Sequence, residues 1–231
     1  MKKKLVVLSI VSLMSVGAIT YAADKVVTPN VEQSNVYLEE ARTFNRKSDY
    51  TNAEKKLNEA IKLNNKNADA YYELGQLELN KNNNDKAISY FDKAIQISPN
   101  KEEFYFGRAA AETFKFQLKA AIDDLKKVIE INPENGEAYA ILAAPYMRFG
   151  YPEQALGYMN KAIQYKESSL DKEYQTRADI KLQLRDYDGA IADYNSAIVE
   201  AKKGTDSLKA QKIEFLKQKV VAAQEAKKLF K

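Results

Sequence analysis

Residues 68–101 read ADAYYELGQLELNKNNNDKAISYFDKAIQISPNK, and this stretch holds two helical faces. In its second half Ala87, Phe91, Ala94 and Ile95 stand at i, i+4, i+7 and i+8, which is one side of a helix. In its first half Tyr71 stands four residues before Gly75, with Leu74 beside it, so the aromatic and the small residue share a face. Two antiparallel helices joined by a short turn approach closely only where side chains are short. A larger residue at Gly75 or Ala87 would overpack the crossing at a cost of about 1–3 kcal/mol. Pro99 stands where the second helix has to stop, since proline cannot donate to the preceding turn.

Working outward, the same faces recur. Ala53-Leu57-Ala60-Ile61 precedes the quoted stretch. Ala121-Leu125-Val128-Ile129, Ala155-Met159-Ala162-Ile163 and Ala190-Tyr194-Ala197-Ile198 follow it. The leading alanines sit at 53, 87, 121, 155 and 190, a period of 34, 34, 34 and 35. A companion helix precedes each, marked by Tyr37 and Ala41, Tyr105 and Ala109, Tyr139 and Ala143, and Tyr174 and Ala178. Punctuation agrees. Pro133 repeats the role of Pro99, Gly150 ends a first helix, Pro152 suits the first turn of the next, and Asp186 can cap the helix near Tyr187. The pattern predicts an all-α solenoid of five helix hairpins over 34–67, 68–101, 102–135, 136–170 and 171–203, with a capping helix over 204–231.

The residues Tyr71, Leu74, Gly75, Ala87, Phe91, Ala94 and Pro99 resemble the tetratricopeptide repeat family, whose 34-residue pattern is an aromatic, Leu-Gly, Tyr, Ala, an aromatic, Ala and Pro. The resemblance covers about Ser34 to Lys203. The first repeat departs from it, with Glu40 and Ala41 in place of Leu-Gly and no final proline. Arg108 and Arg177 occupy the leucine position of repeats three and five. Pro145 falls inside a first helix and is expected to kink it. The one extra residue falls within Lys166 to Leu170.

The resemblance implies a right-handed superhelix whose first helices line a concave face, where ligands of the family usually lie. Carried over position by position, that face offers Asp69, Tyr72, Gln76, Leu79 and Asn80 from repeat two. Repeat three offers Glu103, Phe106, Ala110, Thr113 and Phe114, and repeat four Glu137, Ala140, Ala144, Met147 and Arg148. The family's best-known mode clamps a terminal carboxylate with lysine, arginine and asparagine. Leu38, Glu73, Glu103 and Gly107 stand where that mode wants polar or basic groups, so no such clamp is expected. The expected groove is aromatic and apolar, with an acidic lip at Asp69, Glu103 and Glu137, and suits an extended peptide or an amphipathic helix. The competing reading is that Tyr72, Phe106 and Phe114 pack between neighbouring helices.

Composition narrows the chemistry. Cysteine, histidine and tryptophan are absent from the 231 residues. There is no thiolate nucleophile or disulfide, and the commonest general base and metal ligand is missing. No cofactor or metal is expected, and no nucleophile–base pair stands out, so an enzyme is disfavoured. Asp186-Tyr187-Asp188-Gly189 resembles part of a calcium loop, but Ile191 stands where such a loop needs glycine, and a helix cap explains it better. Asp123-Asp124 reads as a solvated helix start.

The ends read differently from the repeats. Lys2 to Lys4, the apolar run Leu5 to Ile19 and the small residues to Ala22 have the order of a secretory signal peptide, with cleavage expected after Ala22. An uncleaved anchor is the alternative. Residues 23–33 read as a flexible leader. Formal net charge is +4, and removing 1–22 leaves 33 basic against 32 acidic residues, which does not favour nucleic acid. That charge is unevenly placed: 201–231 carries +6 and 23–200 carries −5. The leading expectation is an exported scaffold, periplasmic or secreted, that binds a protein or peptide. The alternative is an envelope structural protein attaching to cell-wall polymer or an anionic membrane surface through its lysine-rich last helix.

Overall fold

A computed structural model of the chain describes residues 29–166, 169–205 and 207–230. The signal peptide expected over 1–22 and residues 23–28 of the expected leader lie outside them. Among the described residues there are eleven helices and no strands. They are α1 (Pro29–Arg46), α2 (Tyr50–Leu63), α3 (Ala68–Asn80), α4 (Asn84–Ile97), α5 (Glu102–Phe114), α6 (Leu118–Ile131), α7 (Gly136–Arg148), α8 (Pro152–Tyr165), α9 (Asp171–Gln183), α10 (Tyr187–Lys203) and α11 (Lys209–Leu229). Each odd helix from α1 to α9 packs on the even helix after it, and each hairpin touches the next. The first helices of the leading repeats also touch one another, α1 on α3 and α3 on α5, so they share one face. α1 begins inside the stretch expected as leader, at Pro29, because proline fits the first turn, where its missing N–H would have no partner anyway.

The alanines that mark the period are the crossing points. Ala53, Ala87, Ala121, Ala155 and Ala190 are all buried, and so are Leu57, Phe91, Leu125, Met159 and Tyr194 one turn on. Gly75 and Gly107 have a sharper reason. A Cβ on either would fall 2.6 or 2.7 Å from the Phe91 ring, which is clasped between α3 and α5.

The turn inside each hairpin is also periodic. Ser48, Asn82, Phe116, Gly150 and Arg185 all have positive φ, between 59° and 80°. In each, the amide one residue on donates to a carbonyl five residues back, as in Asn83 N to Glu78 O (2.8 Å) and Gln117 N to Glu112 O (2.9 Å). This closes the first helix as a Schellman motif. Asp186 caps α10 as expected, its Oδ1 accepting from Gly189 N at 2.9 Å. The helix that holds Pro145 runs from Gly136 to Arg148. Pro145 sits in the last turn, where one backbone hydrogen bond is lost.

Arg108 and Arg177 belong to a pattern that spans all five repeats. Each donates two parallel hydrogen bonds to a carboxylate 16 residues on: Arg108 to Asp124 (2.7 and 2.7 Å) and Arg177 to Asp193 (2.7 and 2.6 Å). In repeats two and four the same two positions hold Leu74 with Tyr90 and Leu142 with Tyr158, packed in apolar clusters. In repeat one they hold Glu40 and Lys56, paired at 2.8 Å with the charges reversed. Odd repeats thus join their two helices by an ion pair and even repeats by apolar contact. Each arginine also reaches the preceding hairpin, Arg108 to Asp92 on α4 and Arg177 to Asn160 on α8. Asp124 is therefore not part of a solvated helix start. It lies in the middle of α6, and its side chain is 8% exposed.

At the far end α11 lies on α10, with Leu216 and Ala223 buried against Ala197 and Ala201. Its lysines meet acids of the last repeat: Lys212 with Asp171 (2.8 Å), Lys219 with Asp179 (3.3 Å) and Lys227 with Asp188. Among the described residues no helix is long and apolar enough to cross a membrane.

Candidate functional site

The face built from α3, α5 and α7 gathers some of the expected groove residues and buries others. On α5, Phe106, Ala110 and Phe114 stand at i, i+4 and i+8, so they form one stripe along the helix. α7 brings Ile141 opposite the stripe and α6 lends Leu125 as a floor. Together they enclose a cleft of ≈ 220 Å³. Phe114 is 65% exposed and Ile141 39% exposed, so the cleft is open to solvent as well as apolar. A second cleft of ≈ 180 Å³ shares Thr113, Leu125 and Ile141 with it and continues along α7 to Ala144, Pro145 and Arg148.

Toward the N-terminal ends of α5 and α7 the character changes. A hollow of ≈ 170 Å³ is lined by Tyr72, Glu102, Glu103, Phe106, Asn135 and Glu137. Tyr72 is half-buried. Its ring lies 5.3 Å from Phe104 and 5.8 Å from Phe91, and its hydroxyl accepts from Gln76 Nε2 at 2.9 Å. Burial pushes the Tyr72 hydroxyl pKa above its usual value. Tyr72 therefore does both things the sequence allowed, packing between repeats while presenting an edge to the hollow. Asp69, the first residue of the expected lip, is held by Lys101 at 2.5 Å, and the same ammonium lies 3.8 Å from Glu103.

Leu79, Ala140 and Met147, expected in the groove, pack into core clusters instead. Leu79 packs on Ala87, Phe91 and Ala111, and Met147 packs on the cluster around Ala155 and Met159. Several lining residues escaped the sequence reading. Glu102 and Ile141 stand one position away from those carried over and Asn135 two, and Asn135 has a role of its own, capping α7 through Ala138 N at 2.9 Å. Exposed aromatics at the hairpin turns were also missed: Phe116 is 85% exposed, Phe149 53% and Tyr151 52%.

A buried carboxylate lies behind the stripe. Glu112 is 7% exposed, its Oε2 has no hydrogen-bond partner, and Arg108 Nε is 4.0 Å away. Burial first, and then the nearby Asp124 charge, push the Glu112 carboxyl up to about 7. Arg108 is spent on Asp124, whose hydrogen bonds hold its guanidinium firmly charged. Among the described residues no group of three or more His, Cys, Asp or Glu could hold a metal ion. Elsewhere, a wider hollow of ≈ 1060 Å³ runs along α1 past Val36, Glu39 and Phe44, at the N-terminal end of the described stack.

Comparison with known proteins agrees with this architecture. Residues 38–102 and 102–135 match sequence profiles of the Tetratricopeptide repeat. Among curated proteins none matches the sequence. Several solved structures share the fold. The chain is similar to a MamA protein at 22% identity and a TM-score of 0.65, over 74% of this chain and 93% of that one. It is similar to PilF of Pseudomonas aeruginosa at 15% identity and a TM-score of 0.68, over 88% and 94%. It is also similar to YrrB, described as a TPR protein with an unusual peptide-binding site, at 18% identity and a TM-score of 0.61, over 78% and 91%.

Proposed function

Since the chain belongs to the tetratricopeptide repeat family, we propose that it is a non-enzymatic scaffold of the cell envelope that holds a peptide or helix of a partner protein against the face made by α3, α5 and α7. The observation that carries this reading is the open apolar cleft under Phe106, Phe114 and Ile141. A large side chain kept 65% exposed beside a preformed cleft lowers solubility and returns nothing to the fold, which makes it a natural anchor point for a partner. The peptide-binding site described for YrrB supports a peptide as the kind of ligand. The envelope location rests on the secretory order of residues 1–22.

The test is affinity capture from the native envelope, with the full chain as bait beside a Phe106→Ala, Phe114→Ala variant of matched helicity by circular dichroism. A partner held by the wild type and released by the variant is the expected result, each anchor contributing on the order of 2 kcal/mol. Equal capture by both would remove the cleft from the site. The lysine-rich last helix is a weaker candidate for attachment, because Lys212, Lys219 and Lys227 already meet acids of α9 and α10. Attachment through that helix would weaken steeply from low to moderate salt, whereas binding in an apolar cleft would not.

A further inference from the structure

Phe106 is a common wall of two adjoining hollows of opposite character. On one side lies the apolar cleft with Phe114, Leu125 and Ile141. On the other, Tyr72 and Phe106 face Glu102, Glu103 and Glu137. Resting on the groove reading above, we propose that the partner segment carries a lysine or arginine that enters the acidic hollow and, beside it, a bulky apolar residue that enters the cleft.

The hollow is lined by three carboxylates and no cation. Glu102 Oε1 accepts from Asn132 Nδ2 at 3.0 Å, but its Oε2 is buried without any hydrogen-bond partner. The neighbouring cation of this chain, Lys101, is taken by Asp69 at 2.5 Å and stands 3.8 Å from Glu103. A guanidinium or ammonium entering the hollow beside Tyr72 and Phe106 would offset the charges of the exposed Glu103 and Glu137 and gain from the aromatic faces. An acidic residue in the same place would meet three carboxylates. The wider field agrees, since 23–200 carries −5. Because the hollows share the Phe106 wall, the two anchors belong close together. Alternate residues of an extended chain, roughly 7 Å apart, would suit.

The test uses three fluorescein-labelled twelve-residue peptides, capped at both ends and set in a glycine–serine background. They carry Arg-Ser-Phe, Glu-Ser-Phe or Arg-Ser-Ala at the centre and are titrated with the full chain by fluorescence anisotropy. The expected result is that Arg-Ser-Phe binds at least tenfold more tightly than either of the others. Replacing the exposed pair Glu103→Gln and Glu137→Gln should weaken it about tenfold and bring Glu-Ser-Phe close to it, and Phe106→Ala should weaken all three. Equal affinity for the arginine and glutamate peptides, with Phe106 still required, would overturn the charge selection and leave the groove reading standing. Binding indifferent to Phe106 would overturn both. No binding of any peptide at millimolar chain would overturn this inference alone, the envelope capture deciding the groove independently. Self-association in sedimentation that the two Gln substitutions abolish would make the occupant a second copy and overturn the proposal.

Discussion

Phe116 is an aromatic residue at φ 59° and 85% exposure, a combination that helps neither backbone nor core. Left-handed backbone costs an L-residue roughly 1–2 kcal/mol, and glycine escapes that cost. The equivalent place in the next hairpin is held by Gly150. Phe116→Gly is therefore expected to stabilise the chain by about 1 kcal/mol in urea unfolding, with an unchanged slope. Glu112 gives a second residue-scale expectation. Its carboxyl is held at about 7 in the fold against an ordinary 4.5. The groups facing it are Arg108 on its own helix, Asp124 and Asp123 on α6, and Asp92 on α4. With the folded value raised, the neutral acid is the form the fold prefers. Its contribution is intact below pH 4.5 and is lost as pH rises through 7. Glu112→Gln should therefore raise the melting temperature at pH 8 and leave it nearly unchanged at pH 4. An equal gain at both values would mean that ionisation of Glu112 is not the cause.

At the scale of the element, two glycines separate close packing from mere tolerance. A Cβ at Gly107 would fall 2.7 Å from the Phe91 ring, whereas one at Gly157 in α8 would meet nothing within 4 Å. Gly157→Ala should gain about 0.5–1 kcal/mol from helix propensity, and Gly107→Ala should lose about 1–3 kcal/mol to overpacking. The ion pairs inside the odd hairpins make a stricter demand. Arg108→Leu alone leaves Asp124 mostly buried and unpaired, at a cost of about 3 kcal/mol. Arg108→Leu with Asp124→Tyr recreates the Leu74–Tyr90 pairing of the neighbouring hairpin and should recover most of that loss in the same unfolding measurement. These cases also mark how far the sequence could be read. The alanine period and the Asp186 cap were legible because each is set by residues within one helix or one turn, and the Gly75 crossing because its small residue recurs with the repeat. Asp124 was misread because its burial depends on Arg108, a residue of another helix that looked like a simple departure from pattern. The candidate face on α5 was reached through the family resemblance, which carried Phe106, Ala110 and Phe114 over by position in the repeat. Ile141 and Glu102 were not reached, because they line the face through the rotation of one helix against the next, which no spacing within a helix fixes.

The whole molecule is a line of hairpins in which each touches mainly its neighbours, so stability should vary along the chain rather than be shared evenly. Its far end tests this. Among the described residues α11 follows the last repeat and covers α10 through Leu216, Ala223 and the Lys–Asp pairs. Leu216 is 0% exposed and inserts among Ala197, Ala201 and Tyr194, so Leu216→Ala should open a cavity and cost about 2–5 kcal/mol. In a globular core that loss would lower protection everywhere. In a one-dimensional stack it should fall on α9, α10 and α11, while α3 to α6, several interfaces away, keep theirs. Amide hydrogen exchange read by mass spectrometry distinguishes the two. Protection lost only from about residue 171 onward would establish a molecule that frays from its capped end. That leaves the α5–α7 face, at the middle of the stack, as its most firmly held surface. Uniform loss would mean that the five hairpins unfold as one unit, and the central face would then owe its order to the cap as much as to its neighbours.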